Sequence, residues 1–448
     1  MSHSHDHGPL KLPASKLNRI RLLLAAIVVP LAVATIAGMA ILWPTSEQSP
    51  VGTLPPYSEG TTSGKVRVTS LDPSECSDSI NPLMKPPSQR GTEQDSGEGG
   101  AGVGKTTDQG GAAPSDGSQG GQPAPGNPGR SPIPGAVCAE VISGEGVGQV
   151  VSLQIPPEVY ASLTIGTVVK TLHSNPFPQG PGLYYYWDVE RSQPMIILIA
   201  IYLVLVIVVA RWRGAAAIAG LASSVLILVY FVMPAIMSGA APLAVTLVGV
   251  SAMMFSSVYF AHGVSIRTTT ALLGTFGGVV LTVLLALWEV DAVHLSGATS
   301  EDAQFIFGFL PSVALPSLLI CGIVIAGLGA LNDVTITQAS AIWELHAANP
   351  HMGRARLFAR AMRIGRDHIA STVYTLAFAY AGTALPALLL AMMVDRPWWD
   401  IATSSAIAEE IVRTLIASIG LIAAIPLTTF IGAVLISLTS NVGKKEEM

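Results

Sequence analysis

The run GLGALNDVTITQASAIWELHAANPHMGRARLFARAMRIGRDHIASTVYTLAFAYAGT, residues 327–383, leaves one long apolar segment, crosses a region dense in arginine, and enters another apolar segment. It brings acids, hydroxyls and bases close to both apolar runs. A helix needs about 20 apolar residues to cross a bilayer. The stretch therefore reads as a cytoplasmic connection, about 332–370, between two transmembrane helices.

The totals agree with a membrane class. Half of the 448 residues are hydrophobic, 12% are charged, and the mean hydropathy is +0.53. Soluble proteins carry about a quarter charged residues, so the chain reads as α-helical and polytopic, with the lipid bilayer as its first partner. Apolar segments at 22–43, 195–210, 214–233, 243–260, 269–288, 312–331, 371–394 and 411–438 predict about eight crossings. The net charge of −5 does not point to nucleic acid.

Lysine and arginine asymmetry sets the expected orientation. With the N-terminus inside, the inner connections hold Arg211, Arg213, Arg267, Arg354, Arg356, Arg360, Arg363, Arg366, Lys444 and Lys445. The short outer connections hold Arg396 against Glu289, Asp291, Glu301, Asp302, Asp395, Asp400, Glu409 and Glu410. Both termini are then cytoplasmic. His3, His5 and His7 alternate in a polar tail (1–21) that reads as solvated rather than as a metal site, and 22–43 reads as a retained helix.

Residues 44–194 are hydrophilic and are expected outside. Short β-branched runs at 64–71, 137–142, 149–155 and 167–172, with Tyr184 to Trp187, predict a small extracytoplasmic β-barrel-like domain. A Gly-, Pro-, Ser-rich insert at about 86–134 interrupts it and is expected to be disordered. Residues 99–106, GGAGVGKT, satisfy the phosphate-loop pattern. No strand can feed that loop and no helix can leave it, so nucleotide binding is not expected. Cys76 and Cys138 flank the insert, and an oxidising compartment would make them a disulfide.

Ionisable groups at membrane helices are functional candidates. If the sixth apolar helix continues, Asp333, Thr337, Ser340 and Glu344 share one face, either lining a polar pathway or turned to water. Gln338 joins this group of candidates. Arg366, Asp367 and His368 open the seventh helix, with Thr372 and Thr375 on the face of His368; they suit either a proton-coupled step or headgroup and ion-pair contacts. Glu409 and Arg413 have the spacing of a helical ion pair, for which a structural role is the simpler reading. Gly274 with Gly278, and Ala377 with Ala381, read as helix-packing pairs. No hydrolase, metalloprotease or redox motif is present, so neither enzyme activity nor a cofactor is expected.

The runs LNDVTITQASAIWEL (331–345), IGRDHIASTVYTLAFAYAGTALP (364–386) and EEIVRTLIASIGLIAAIPLTT (409–429) resemble the YibE/F family of bacterial multi-pass membrane proteins over roughly 190–440. The resemblance implies a multi-helix core in the bacterial cytoplasmic membrane, an extracytoplasmic β-domain and a permease-like role. Asn332 departs from it, standing where an acid is common, as does Tyr374, where an asparagine is common. The expected function is transport of a small molecule or ion. The alternative is a non-transporting envelope component acting through its β-domain.

Overall fold

A computed structural model describes residues 14–44, 61–72, 76, 135–174 and 183–440. The histidine tail, most of the 86–134 insert's surroundings, the insert itself and the phosphate-loop match at 99–106 lie outside the described residues. The chain divides into two compact units, 55–199 and 1–54 with 200–448.

Helix α1 (Ala14–Ile41) opens the chain. The smaller unit follows and is a single antiparallel sheet. Strands β1 (Thr61–Ser70), β2 (Ala136–Ser143), β3 (Val150–Gln154), β4 (Val168–Ser174) and β5 (Leu183–Val189) lie in the order β3-β2-β1-β4-β5, with the short helix α2 (Pro157–Tyr160) before β4. All five strands fall on the runs that alternate in sequence. The alternation places Val66, Val68, Val137, Ala139, Val141, Val151, Leu153 and Val169 in one core. The sheet curls until its edge strands β3 and β5 approach each other, but no backbone ladder joins them. It is thus an open curled sheet rather than a closed barrel. Cys76 and Cys138 are disulfide-bonded with their Cα atoms 5.5 Å apart, which clamps the two ends of the long excursion between β1 and β2.

The larger unit is helical. Helix α3 (Ser192–Ile227) passes through a π-helical turn at Leu228–Val232 into α4 (Met233–Met237), where Pro234 removes a backbone donor. Then come α5 (Pro242–His262), α6 (Ile266–Ala292), α7 (Glu301–Phe309), α8 (Leu315–Ala348), α9 (Arg354–Thr383), α10 (Leu385–Met392), α11 (Trp398–Ala402) and α12 (Ser405–Ser440). Helices α6, α8 and α12 pack on one another, α9 lies against α8 and α12, and α5 lies between α1 and α8. Leu272, Val279, Ile323, Leu331, Val334, Leu421 and Ile425 fill the shared core. Helix α1 belongs to this packing: its Ile20 and Leu24 sit with Trp343, Leu357 and Ile436.

Six helices among the described residues are long and apolar enough to cross a membrane, or seven if a bent pair is one span. Two of the expected segments differ from separate straight helices. First, 195–210 and 214–233 lie in one 46-residue apolar stretch, Ser192–Met237, which divides into two helices at a kink at Arg211, whose φ is 53° and ψ −134°. That backbone costs a non-glycine residue about 1–3 kcal/mol. Three residues on, Gly214 packs against the Val206 carbonyl, where a Cβ would collide. Second, the expected run 371–394 is the end of α9 bent by 63° into α10, because Pro386 cannot continue the hydrogen-bond ladder. Large apolar side chains on α3, such as Ile196, Leu198, Leu205 and Val208, are exposed. Exposure on that scale is not tolerated in water, and it points to a membrane protein.

At the end of the sheet, the Glu190 carboxylate meets Lys65 Nζ at 2.7 Å and accepts from the Ser192 hydroxyl and backbone N–H. Lys65 first, and then Ser192, hold its carboxyl down at about 2 against an ordinary 4.5. Its contribution to stability is therefore complete above pH 4.5 and disappears as pH falls towards 2. Reversible thermal unfolding of the detergent-solubilised chain should show Glu190→Gln less stable than wild type above that window and equal to it at the bottom. A gap that stays constant across the window would refute the assignment.

Candidate functional site

Helix α8 does not stop at the apolar boundary near residue 331. It runs unbroken to Ala348, and α9 starts again at Arg354, so the expected connection at 332–370 is two long helices joined by a tight turn. Continuation of α8 gives it two distinct faces. Thr335, Gln338, Ile342, Trp343 and His346 are buried on one, while Asp333, Thr337 and Glu344 are exposed on the other with Ser340 half-buried. The predicted stripe exists, and it faces outward.

The buried face is a structural clasp. Gln338 Nε2 donates to the Ala361 carbonyl of α9 at 3.0 Å and to Thr429 Oγ1 of α12 at 2.7 Å. Gly365 lets α9 come close, since a Cβ there would lie 2.6 Å from Ile425 and 3.0 Å from the Gln338 carbonyl oxygen. Three steps away on α8, Thr335 Oγ1 meets Thr275 Oγ1 of α6 at 2.6 Å. Gln338, one of the candidate pathway residues, closes the seam between α8, α9 and α12.

Asp333 and His368 are brought together. Asp333 Oδ2 lies 4.0 Å from His368 Nε2, across the α8–α9 contact, and Nε2 is buried without a hydrogen bond. That distance is too long for a hydrogen bond, and the Asp333 side chain is 75% exposed, so the contact is a water-screened one. His262 is the last residue of α5. The neighbouring Asn332 donates to Ser257 Oγ of α5 at 3.2 Å, fixing α8 to α5 one residue before the carboxylate. In the sequence His262 is set aside because it, His294, His346 and His351 are scattered without ligand spacing.

The remaining candidates do not join this pair. Arg366 and Asp367 are exposed and form no ion pair among the described residues. Thr372 turns its hydroxyl back to the His368 carbonyl at 2.9 Å, and Thr375 does the same to Ser371 at 3.0 Å. Glu344 accepts from Arg267 Nη2 of α6 at 2.8 Å, an exposed pair worth about 0–1 kcal/mol. Glu409 is buried, accepting from Arg413 at 3.1 Å and from Thr299 at 2.8 Å, as a structural ion pair would. Among the described residues no three His, Cys, Asp or Glu side chains gather for a metal ion.

The family model described as YibE/F-like protein matches residues 198–438, more than half of the chain. The chain belongs to the YibE/F-like family. No curated protein and no solved structure matches it. The YibE/F-like region takes in all but the start of α3 and runs into α12, so it contains the Asp333–His368 pair, the Gln338 clasp and the Glu409–Arg413 pair. Helix α1 and the sheet lie outside it.

Gln338→Leu keeps the volume and removes both donated bonds, so the seam should lose about 1–2 kcal/mol. Thr337→Ala, one residue away on the exposed face, should stay within about 0.5 kcal/mol of wild type. Denaturation in detergent measures both, and equal effects would contradict the division of α8 into a closing face and an open one.

Proposed function

We propose that this YibE/F-like protein is a permease of the bacterial cytoplasmic membrane that moves a small molecule or ion, with proton exchange at Asp333 and His368 as its coupling step. The observation that carries the reading is the carboxylate–imidazole pair, 4.0 Å apart on two neighbouring long helices. An imidazole changes charge near neutral pH, and a carboxylate 4 Å away responds to that change. Loss or gain of one proton then alters the attraction between α8 and α9 at a point where no hydrogen bond locks them. On either side the helices are fastened, by Gln338 to α9 and by Asn332 to α5, so the change is confined to a short section of their contact.

In this reading both termini are cytoplasmic, as the arginine distribution favours, and the pair sits towards the cytoplasmic ends of its helices. No enzyme activity, nucleotide or cofactor is part of the proposal. An envelope component acting through the sheet domain is the competing role. In that case the sheet would be required and the pair would be dispensable.

The test is complementation of a deletion strain, scored by its metabolite and lipid profile. Asp333→Asn and His368→Gln should insert at wild-type levels and restore the profile no better than an empty vector. Full complementation by either stably inserted variant would sink the proton-coupled reading.

A further inference from the structure

Further along α9 from His368, the membrane unit holds a cleft of about 210 Å³ between α9–α10 and the start of α12. Ala381 and Leu388 form one wall, and Ile411 and Leu415 the other; Tyr380 and Glu410 are the polar groups with unused capacity. Thr414 also lines it, but its hydroxyl is already donated to the Glu410 carbonyl at 2.8 Å. The Tyr380 phenol makes no hydrogen bond among the described residues, so its oxygen can accept one.

The charges beside the cleft do not balance. Glu409 and Glu410 share the single Arg413. Glu409 has the better claim, with Arg413 at 3.1 Å and the Thr299 hydroxyl at 2.8 Å, and it is buried. Glu410 has only a 3.7 Å contact with the same guanidinium, and it lines the cleft. Two carboxylates against one guanidinium leave one negative charge, and it lies at an apolar wall. A charge in that setting calls for a cationic partner.

We propose that this cleft binds an alkylammonium group, its ammonium on Glu410 and its chain along Ala381, Leu388, Ile411 and Leu415. The charge complements the surplus carboxylate, and the Tyr380 oxygen offers a second acceptor for an ammonium hydrogen. At about 30 Å³ per heavy atom the volume suits about seven such atoms, the size of hexylammonium. Both an amphiphilic amine and the ethanolamine headgroup of a phospholipid present this chemistry. The inference does not depend on the Asp333–His368 pair.

The test is a calorimetric titration of the full chain in a neutral maltoside detergent with hexylammonium, hexanol and hexanoate. Wild type should bind hexylammonium saturably. Binding should weaken at least about tenfold in Glu410→Gln, and hexanol and hexanoate should bind at least as weakly to wild type. Ala381→Phe, which fills the cleft and leaves every charge in place, should abolish binding even if Glu410→Gln folds poorly. Asp333→Asn should bind as wild type does, so failure of the transport reading would leave this result standing. Competition by added phosphatidylethanolamine identifies the headgroup as the source, and binding that persists in its presence identifies a free amine; either supports the site. Equal affinity for hexanol, unchanged affinity in both cleft variants, or cross-linking of two chains through cysteines placed at Ala381, which would make a second copy the occupant, would overturn it.

Discussion

Everything in the membrane unit depends on how closely the backbones of α6 and α12 approach. Gly274 faces Thr428, Gly278 faces Ala424 and the Gly420 carbonyl, and Gly420 faces Thr282; a Cβ on any of these glycines would collide or crowd. In hydrocarbon there is no hydrophobic force between helices, so contact dispersion and a few hydrogen bonds must hold them. Small residues permit the contact. The Thr275–Thr335 and Gln338–Thr429 bonds then register α8 on that pair. Pro, Gly and Thr positions that look unremarkable one by one set the geometry of three long helices together.

This rigid seam gives the polar edge its meaning. Asp333 is itself largely exposed, and the helix that carries it is firmly held. Here Asp333 is between two fastened points on α8, and His368 lies three residues beyond Gly365, where α9 is pressed onto Gln338. In the proposed coupling step, the pair's separation would change without the rest of the contact giving way. Glu409 and Arg413 are the contrasting case. The buried Glu409 accepts from both Arg413 and the Thr299 hydroxyl, which pins the segment before α7 to α12. Glu409 and Arg413 fasten the fold, and Asp333 with His368 is the contact the proposed step would change.

Much of this was legible in the chain. Period-two alternation in Val66, Val68, Val137 and Val141 located the strands, because each strand buries one face. The runs around Asp333, His368 and Glu409 carried the family resemblance, and the family match covers them. Other features were not legible. Hydropathy marks where a helix is apolar, not where it ends, so α8 and α9 continue well past the segments read from it. It also cannot separate a break at one arginine from a loop, as Arg211 shows. The exposed or buried state of Gln338 and Thr337 depends on α9 and α12, which no local pattern on α8 reveals. Ala377 and Ala381 have the spacing of a packing pair, yet they line a cleft towards α12.

The most direct measurement of the central claim is proton movement in proteoliposomes of the full chain, followed by an enclosed pH-sensitive dye after a small-molecule extract of the cells is added outside. Proton coupling at Asp333 and His368 predicts a proton flux that requires both the extract and the protein and that vanishes in Asp333→Asn. A flux that is the same in wild type and Asp333→Asn would contradict it.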